Sequence, residues 1–497
     1  MPDIQIGEWL PDRHPVDSPG VAQMLNLLPR ADGCSTIKGP RDRGFGALPT
    51  EVRGAFYGRT QGGVDFIVAG TASKLFLLTF SSFSDVSKAG GYTLAVTDRW
   101  EFALYGNFVF ATCKTYPVQV YQIGVSSLFA DLSADASKAK VLAVSNEFLI
   151  LGDLIGQGAN ASAIGTLEGA VHWSAIGVPS SWPIVGTSAA VAVQSDYQPL
   201  QGGGGPVNAV VAAGEYVCVL RERQIWRMDY VGGAPVFQLR LMDPGHGCVI
   251  PGAAIAVGNL VYYPSRVGWY VFNGESSTPI GYEKVDRFWR AKMDFQTLSL
   301  VKVSVAHVPS LGSVIWSFPN FGSLLAYQYE IARWYLLQPA VSMEWLLQAY
   351  MPISGSLDTP PYDTQNMDTD AISTTDLDSL VGDLTDVFGA FGVDHIFYQF
   401  DGTEMPGVLE IGDFETEYRI RLRNVRPAFV GSGSVSGTFS ARRRPFDPIV
   451  YGLQRALTNT GVITARSTGR YTRGLLTTSG DVYLKGLTPA TTDLGGR

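Results

Sequence analysis

Short apolar or alternating runs recur along residues 45–345, each followed by a Gly, Asn or Asp turn and a second run that ends in an aromatic residue. Six such units are Val64 to Phe80, Asn107 to Ile123, Glu147 to Leu154, Glu215 to Tyr230, Gly258 to Asn273 and Ser313 to Leu337. The runs have the length of strands, and the units begin roughly 40 to 70 residues apart, which favours four-stranded propeller blades over a β-sandwich. We therefore predict an all-β fold built on a β-propeller, with six blades as the favoured number.

A different pattern begins near Val408. In the stretch EYRIRLRNVRP, apolar side chains alternate with arginines from Tyr418 to Arg423, and this period of two predicts a half-buried strand. Glycine-containing turns at 431–437, 458–461 and 478–481 separate further strands. The predicted organisation is an extended N-terminal arm (1–44), the propeller (45–404) and a basic, β-sandwich-like C-terminal domain (405–497).

Residues 357–393 interrupt the propeller pattern. They contain TPPYDTQNMDTDAISTTDLDS, whose Asp, Thr, Ser and Pro content is typical of a long surface loop. We predict an exposed acidic excursion from the last blade, after which HIFYQFDG (395–402) resumes a strand. Calcium binding is an alternative, because carboxylates are hard oxygen ligands, although the spacing of an EF-hand is missing.

The composition agrees with a folded β protein. Hydrophobic residues make up 46% of the chain and charged residues 16%, which excludes a disordered chain. The 56 glycines, 28 prolines and 57 aromatic residues favour strands and turns and exclude an all-helical fold. Five tryptophans are predicted to fill the core between blades: Trp173, Trp226, Trp269, Trp316 and Trp334.

Two further features concern the compartment. The first 20 residues carry no apolar segment of the signal-peptide kind, and the longest apolar candidate, Asn208 to Leu220, is too short to cross a bilayer. The four cysteines, Cys34, Cys113, Cys218 and Cys248, are separated by 79, 105 and 30 residues and form no CxxC pair. Buried free thiols in a reducing cytoplasm are therefore expected ahead of a disulfide or a zinc site.

Charge is unevenly distributed along the chain. The net charge is -8, but residues 334–418 contain 16 acidic residues and no Lys or Arg, whereas residues 419–497 contain 13 basic and three acidic residues. This segregation predicts two surfaces of opposite sign that could meet within or between subunits. A solvated acidic loop beside a basic face is the alternative.

Signatures of catalysis are weak. The glycines of Gly156 to Ala161 match a loose dinucleotide fingerprint, but no crossover helix follows, so we interpret them as a loop. The sequence holds no GxxxxGK[ST], HExxH or GxSxG motif. His246, between Asp243 and Cys248, is interpreted as part of a structural turn. Four carboxylates are possible glycosidase residues, but nothing in their sequence context singles them out: Glu215, Glu222, Asp229 and Asp286. We predict no enzymatic activity, cofactor or metal.

Several segments, taken in order, carry a family resemblance. They are GEWLPDRHPVDSPGVAQMLNLLPRADGCSTIKGP (7–40), HWSAIGVPSSW (172–182), EKVDRFW (283–289), SVIWSFPN (313–320), YQYEIARWYL (327–336) and TGRYTRGLL (468–476). The first holds a Pro-Asp at 11–12, an Asn-x-x-Pro at 26–29 and an Asp-Gly at 32–33. Together these segments resemble the hub, or nozzle, proteins in the tails of short-tailed bacteriophages.

The resemblance implies a structural virion protein assembled in the host cytoplasm. Such proteins form a ring, usually of six subunits, below the portal adaptor; each subunit carries a propeller, and the ring encloses the DNA exit channel. The implied partners are further copies of the chain, the portal adaptor, distal tail or fibre proteins and the passing double-stranded DNA. A secreted carbohydrate-binding or glycosidase propeller and a scaffold propeller that binds other proteins are the alternatives.

Two groups of residues are assigned hypothetical roles in such a ring. A DNA conduit should avoid basic walls, because each neutralised phosphate adds affinity. The hypothetical channel wall is therefore acidic and comprises Asp368, Asp370, Asp376 and Asp378. The hypothetical contact with a neighbouring subunit or the adaptor comprises Arg442, Arg443 and Arg444.

Overall fold

A computed structural model describes residues 3–14, 20–78, 82–233, 235–293, 302–318, 321–349 and 387–494. Most of these residues belong to units of four antiparallel strands, and in nearly every unit the strands pair in the order in which the chain makes them. The protein is a β-propeller, as its sequence predicts.

The first four blades follow one another without interruption by other sheets. Their strands are Gly54–Arg59, Asp65–Gly70, Leu75–Leu78 and Phe83–Asp85 in blade 1; Glu101–Tyr105, Phe108–Cys113, Tyr116–Gln122 and Ala130–Asp131 in blade 2; Lys138–Ser145, Phe148–Ile155, Thr166–Trp173 and Asp196–Pro199 in blade 3; Val207–Ala213, Tyr216–Arg221, Ile225–Tyr230 and Phe237–Asp243 in blade 4. Blade 3 also carries the short helices Gly158–Asn160 (3-10), Ala161–Ile164 and Ser188–Ala192.

The remaining blades complete the ring. Their strands are Ile255–Val257, Leu260–Pro264, Trp269–Phe272 and Ser277–Pro279 in blade 5; Ser304–Val308, Ser313–Ser317, Leu324–Gln328 and Arg333–Leu337 in blade 6; Met343–Ala349, Val387–Gly392, Ile396–Gln399 and the N-terminal strand Arg41–Ala47 in blade 7. The helix Asp286–Lys292 follows blade 5, and a 3-10 turn, Pro309–Leu311, lies within blade 6.

The described residues thus form seven blades, so the favoured number of six was wrong. The innermost strands of successive blades lie side by side, and that of blade 7 lies beside that of blade 1, which closes the ring. The outermost strand of blade 7, Arg41–Ala47, begins in the segment assigned to the arm and pairs with Ile396–Gln399. The blade is therefore shared between the two ends of the propeller sequence.

The predicted excursion 357–393 is too long at its C-terminal end. Val387–Gly392 is a strand that pairs with Met343–Ala349, and Phe388 and Phe391 on it are buried. Phe388 and Phe391 pack into two different hydrophobic clusters, so the strand is buried on both faces. The rest of the excursion, residues 357–386, lies outside the described residues.

The arm and the C-terminal domain form one structure. The arm strands are Ile4–Gln5, Val21–Leu25, Leu27–Arg30 and Gly33–Thr36; the C-terminal strands are Gly407–Val430, Ser434–Arg442, Arg455–Ala456, Ile463–Ser479 and Tyr483–Asp493. We call Gly407–Val430 the long strand. Its first part pairs with Ile463–Ser479, and its last part also pairs with Tyr483–Asp493.

The arm strand Val21–Leu25 joins this domain to the propeller. It pairs in parallel with blade 6 at Leu336 and antiparallel with the long strand at Val408 to Ile411. One continuous sheet therefore runs from blade 6 through the arm into the C-terminal domain. Because these hydrogen bonds belong to one sheet, the domain is fixed to the propeller by backbone pairing and does not hang from a linker.

Aromatic side chains fill the core where blades 5 and 6 meet the arm. Trp269 lies 5.2, 4.4 and 5.3 Å, between ring centroids, from Trp289, Trp316 and Trp334. Each such pair contributes roughly 0.5–1.5 kcal/mol beyond the buried area. Trp173 is also buried and Trp226 half-buried, so the core prediction is confirmed for four of the five tryptophans.

The four cysteines are all buried and free, as predicted. Burial raises the pKa of the Cys34, Cys113 and Cys248 thiols to about 12. These thiols are therefore protonated and unreactive in the folded protein.

Candidate functional site

The innermost strands of all seven blades line a central cavity of about 350 Å³. A nucleic-acid duplex cannot pass through so small a space. Any DNA conduit in this protein must therefore lie outside the propeller axis.

The buried side chain of Arg99 fills part of this cavity. Its Nη1 donates to the carbonyl oxygens of Val303 (2.6 Å) and Pro251 (3.2 Å), and its Nε lies 2.8 Å from Glu101 Oε1. The guanidinium carbon lies 4.5 Å from the centroid of the Trp345 ring. Burial lowers the pKa of Arg99, although the Glu101 carboxylate opposes this shift. Arg99 therefore ties blade 2 to blade 7 and to the segments that precede blades 5 and 6.

The chemistry available in the cavity is limited. Glycoside hydrolysis needs two carboxylates about 5–9 Å apart, whereas the described lining holds one, Glu101, which is paired with Arg99. Across the described ranges, no group of three or more His, Cys, Asp and Glu side chains is arranged to hold a metal ion. Nor does any described helix have the length and apolar content to span a membrane.

The carboxylates named as glycosidase candidates lie on separate elements. Asp229 contacts Arg227 and Arg240 at 2.8 Å each; burial opposes these contacts, but they outweigh it and lower the pKa of Asp229. Glu222 contacts its neighbour Arg223 at 3.5 Å, and Glu215 lies in the turn that joins the first two strands of blade 4. Asp286 lies on the helix after blade 5.

Two sequence motifs were interpreted as structural, the turn around His246 and the glycine-rich segment Gly156 to Ala161. His246 Nδ1 lies 3.1 Å from Asp243 Oδ2, and its ring stacks on Tyr270, as in an ordered turn. Cys248 is buried with its thiol directed at the carbonyl of Ile250. The segment Gly156 to Ala161 is not the loop that was predicted, because Gly158–Asn160 form a 3-10 helix and Ala161 begins the short helix that ends at Ile164. Gly158 has φ +49°, and a Cβ there would lie 2.2 Å from Asp135 Oδ1, so this position requires glycine.

The N-terminal arm is clasped to the segment after blade 5. Lys284 Nζ lies 2.7 Å from Glu8 Oε1, and the Trp9 ring packs edge-on against Phe288 at 5.1 Å. Asp12 accepts hydrogen bonds from the backbone N–H groups of Arg287 and Phe288, each at 2.7 Å. We call this region, residues 8–13 against 283–289, the arm clasp. It brings together two of the segments that carry the sequence resemblance, GEWLPDRH and EKVDRFW.

Asp12 supplies the N-terminal cap that the residues next to the helix Asp286–Lys292 do not provide. The helix Asp286–Lys292 begins after Val285, whose apolar side chain cannot accept a hydrogen bond from the first free N–H groups. The carboxylate of Asp12, which is far away in sequence, accepts these hydrogen bonds instead. Beside it, burial raises the pKa of Asp286 to about 6; the hydrogen bond from the Trp269 N–H opposes this shift and the charge of Asp12 adds to it.

The structure corrects the proposed contact of Arg442, Arg443 and Arg444. Arg442 is buried: its guanidinium pairs with Asp413, and its Nη1 donates to the carbonyls of Pro445 (2.7 Å) and Asp447 (3.0 Å). It cannot also meet another subunit. Arg443 and Arg444 are exposed. The strand Ser434–Arg442 ends at Arg442, so Arg443 and Arg444 lie in the connection that follows it.

Asp413 is the centre of this buried network. Arg473 donates to both of its oxygens at 3.1 Å and to Glu410 at 3.0 Å. Tyr451 donates to the same Glu410 oxygen. The network holds in place the start of the connection between the strands Ser434–Arg442 and Arg455–Ala456.

The predicted channel-wall residues, Asp368, Asp370, Asp376 and Asp378, lie outside the described residues. Sequence reasoning also missed two features. The clasp residues Glu8, Asp12 and Lys284 give no local signal of pairing. The exposed arginines of the long strand, by contrast, were visible as the polar half of the alternation from Tyr418 to Arg423, but no function was assigned to them.

Comparisons with solved structures find similar chains only at low sequence identity. No family model and no curated protein matches the chain. A chain of the mitotic checkpoint complex is 10% identical over 75% of this chain and 95% of its own, with a TM-score of 0.40. The Cps50 (Swd1) β-propeller domain of Myceliophteria thermophila is 8% identical over 73% and 99%, with a TM-score of 0.41. YCF48 bound to D1 peptide is 10% identical over 73% and 97%, with a TM-score of 0.37.

Proposed function

We propose that this chain is a structural, non-catalytic subunit of the tail of a short-tailed bacteriophage. In this proposal it forms a hub or nozzle ring below the portal adaptor, with six copies as the expected number. It assembles in the host cytoplasm, contacts distal tail proteins and contributes to the wall of the DNA exit channel.

The arm clasp is the observation that carries the proposal. The resembling segments are far apart in sequence, yet 7–14 and 283–289 contact each other directly through Glu8, Trp9 and Asp12. Trp316 and Trp334, from two further segments, pack against Trp269 next to this clasp. If the likeness of these segments were accidental, they would not be expected to lie together at one junction. A common arrangement of arm and propeller would bring them together.

Two other observations agree with a structural role. The continuous sheet from blade 6 to the C-terminal domain makes one stiff unit of the propeller and the domain, which suits a part that bears load. The cavity is too small for DNA, so a channel would be enclosed by neighbouring subunits and not by the propeller.

A scaffold propeller that binds other proteins outside a virion is the second candidate. The single carboxylate in the described cavity lining and the absence of a metal cluster among the described residues are compatible with it as well. The two candidates differ in self-assembly, because a scaffold propeller has no need to form a closed ring.

Electron microscopy and sedimentation of the purified protein, alone and with the portal adaptor of its phage, test the proposal. Closed rings, or rings formed when the adaptor is added, are expected. A protein that stays monomeric under every condition and ignores the adaptor would leave the scaffold as the better candidate. Turnover of saccharide, ester or peptide substrates by the pure protein would contradict a non-catalytic role.

A further inference from the structure

The long strand displays a line of arginines on its exposed side. We call Arg419, Arg421, Arg423 and Arg426 the arginine row. All four are exposed, whereas Ile420 and Leu422 between them are buried. The pairing register shifts between Leu422 and Asn424, and this bulge keeps Arg426 on the exposed side.

The row has no partner within the described part of the chain. None of its four side chains makes an ion pair or hydrogen bond with a described residue, in contrast to Arg442 and Arg473 of the same domain. Two residues of the row have cross-strand partners in the pairing register, and these partners are uncharged: Arg421 faces Thr468 and Thr492, and Arg426 faces Thr488. The row is thus a line of positive charges that have no counter-ion among the described residues.

Such a line is unfavourable by itself. Side chains two residues apart on a strand stand ~7 Å apart on the same face, where like charges repel. The described C-terminal domain, residues 405–494, contains eleven arginines and one lysine. The forked guanidinium binds carboxylates or phosphates in a bidentate way that lysine cannot match. The row is therefore suited to a ligand with regularly spaced anionic groups.

The chain itself contains such a ligand. Residues 351–386 hold eight aspartates and no Lys or Arg. Asp368 and Asp370, and again Asp376 and Asp378, are two residues apart, the same spacing as in the row. Two extended segments with this spacing can align carboxylates with guanidiniums along their length.

We propose that the arginine row is the docking surface for the aspartate-rich segment 363–378 of a neighbouring copy. The proposal rests on the ring proposed above, because a closed head-to-tail ring needs two different, complementary surfaces on every subunit. The row and the segment are such a pair. This gives the four aspartates a subunit contact in place of the channel wall, and moves the basic side of that contact from Arg442–Arg444 to the row.

Peptide binding tests the contact without needing a ring. The receptor is the full chain with its own Asp368, Asp370, Asp376 and Asp378 changed to Asn, and the probe is a fluorescent peptide of residues 363–380. Anisotropy should report binding that weakens as salt is added. Changing all four row arginines to Ser should reduce the affinity by about tenfold or more, since several weak exposed pairs act together.

Matched variants make the result specific. Arg443→Ser with Arg444→Ser removes two exposed arginines of the same domain outside the row, and should leave peptide binding unchanged. Changing the row to Lys keeps the charge but removes the fork, so binding should fall between wild type and the Ser variant. Circular dichroism should report the same fold for all of them.

Mixing charge-reversed chains tests whether the contact joins two copies. One variant carries Glu at the four row positions, and the other carries Lys at the four aspartate positions. Each alone should fail to assemble, and an equal mixture should assemble, as measured by sedimentation.

The outcomes separate the two proposals. Rings that form while the peptide does not bind, or while the row variants assemble normally, overturn the docking surface and leave the ring intact. Peptide binding by a chain that never assembles, alone or mixed, places the contact within one chain and overturns the second copy. A short DNA duplex that binds the row and displaces the peptide would make this surface a nucleic-acid contact and overturn the proposal.

Discussion

The carboxylate of Asp12 accepts the backbone N–H of Phe288 at 2.7 Å, so the first turn of the helix after blade 5 is capped by the N-terminal arm. A cap from a distant segment couples two events that are usually separate. Until the arm is in place, the first N–H groups of the helix lack this side-chain acceptor.

Asp12→Ala should therefore loosen the arm and the helix together. Loss of a capping side chain costs about 1 kcal/mol in the free energy of unfolding. We expect this loss in urea denaturation, together with faster proteolysis near residues 8–14. Asp3→Ala, an exposed acid of the same arm, is the control and should change neither. Equal stability of the two variants would contradict the capping role.

Asp286 should make stability depend on pH in a sense opposite to most carboxylates. Its pKa is raised from 3.8 to about 6 in the folded protein, so its stabilising effect is complete below pH 3.8 and is lost as the pH rises through 6. At 1.36 kcal/mol per unit, the loss is about 3 kcal/mol. Asp286→Asn should thus gain stability relative to wild type as the pH is raised.

Asp229 provides the opposite case. Its pKa is lowered by Arg240 and Arg227, so its contribution is present at neutral pH and is lost on acidification. Asp229→Asn should be less stable than wild type at neutral pH, and the difference should shrink in acid. Chemical denaturation across this pH range measures both variants, and slopes of the same sign would refute the assignment.

The three consecutive arginines should behave unequally. Arg442→Ser leaves Asp413 buried with one guanidinium fewer and removes the donor to Pro445 and Asp447. Because Arg473 still pairs with Asp413, we expect a loss of about 1.5–3 kcal/mol, the range for a hydrogen bond to a charged group, and not the cost of a fully unpaired buried charge. Arg443→Ser and Arg444→Ser, both exposed, should stay within about 0.5 kcal/mol of wild type. Thermal unfolding of the three single variants decides this, and three similar values would count against the buried network.

Limited proteolysis of the isolated subunit should cut first within residues 358–386. Exposed loop tips rich in small polar residues are preferred sites of nicking. The two fragments should stay together, because Arg41–Ala47 pairs with Ile396–Gln399 and the arm pairs with the long strand. Two bands on a denaturing gel from one gel-filtration peak are expected. Protection of 358–386 with earlier cuts elsewhere would contradict the predicted exposure.

The propeller could be predicted from sequence because its signal is local. Strand-length runs and turns recur within each blade, and four of five predicted core tryptophans are buried. The seventh blade was missed because its first two strands, Met343–Ala349 and Val387–Gly392, are separated by the acidic segment, and its last strand comes from the other end of the chain. No local pattern links these pieces.

The site was less predictable for the same reason. The predicted alternation is confirmed from Arg419 to Arg423, where the arginines are exposed and Ile420 and Leu422 are buried, but it is wrong for Tyr418, which is exposed. That Arg442 would be buried depended on Asp413, on another strand, and that Asp12 would cap a helix depended on residues 287 and 288. Such pairings are set by tertiary structure.

The division of blade 7 and of the arm sheet between the two ends of the chain has a consequence for biosynthesis. Arg41–Ala47 leaves the ribosome early, but its partner Ile396–Gln399 is made some 350 residues later, and Val21–Leu25 waits longer still for the long strand. Through most of translation these strands have unsatisfied edges, and contacts so distant in sequence form slowly. Closure of the ring of blades and docking of the arm are therefore events of the finished chain. Truncated products lack both, and they are open to capture by chaperones and proteases.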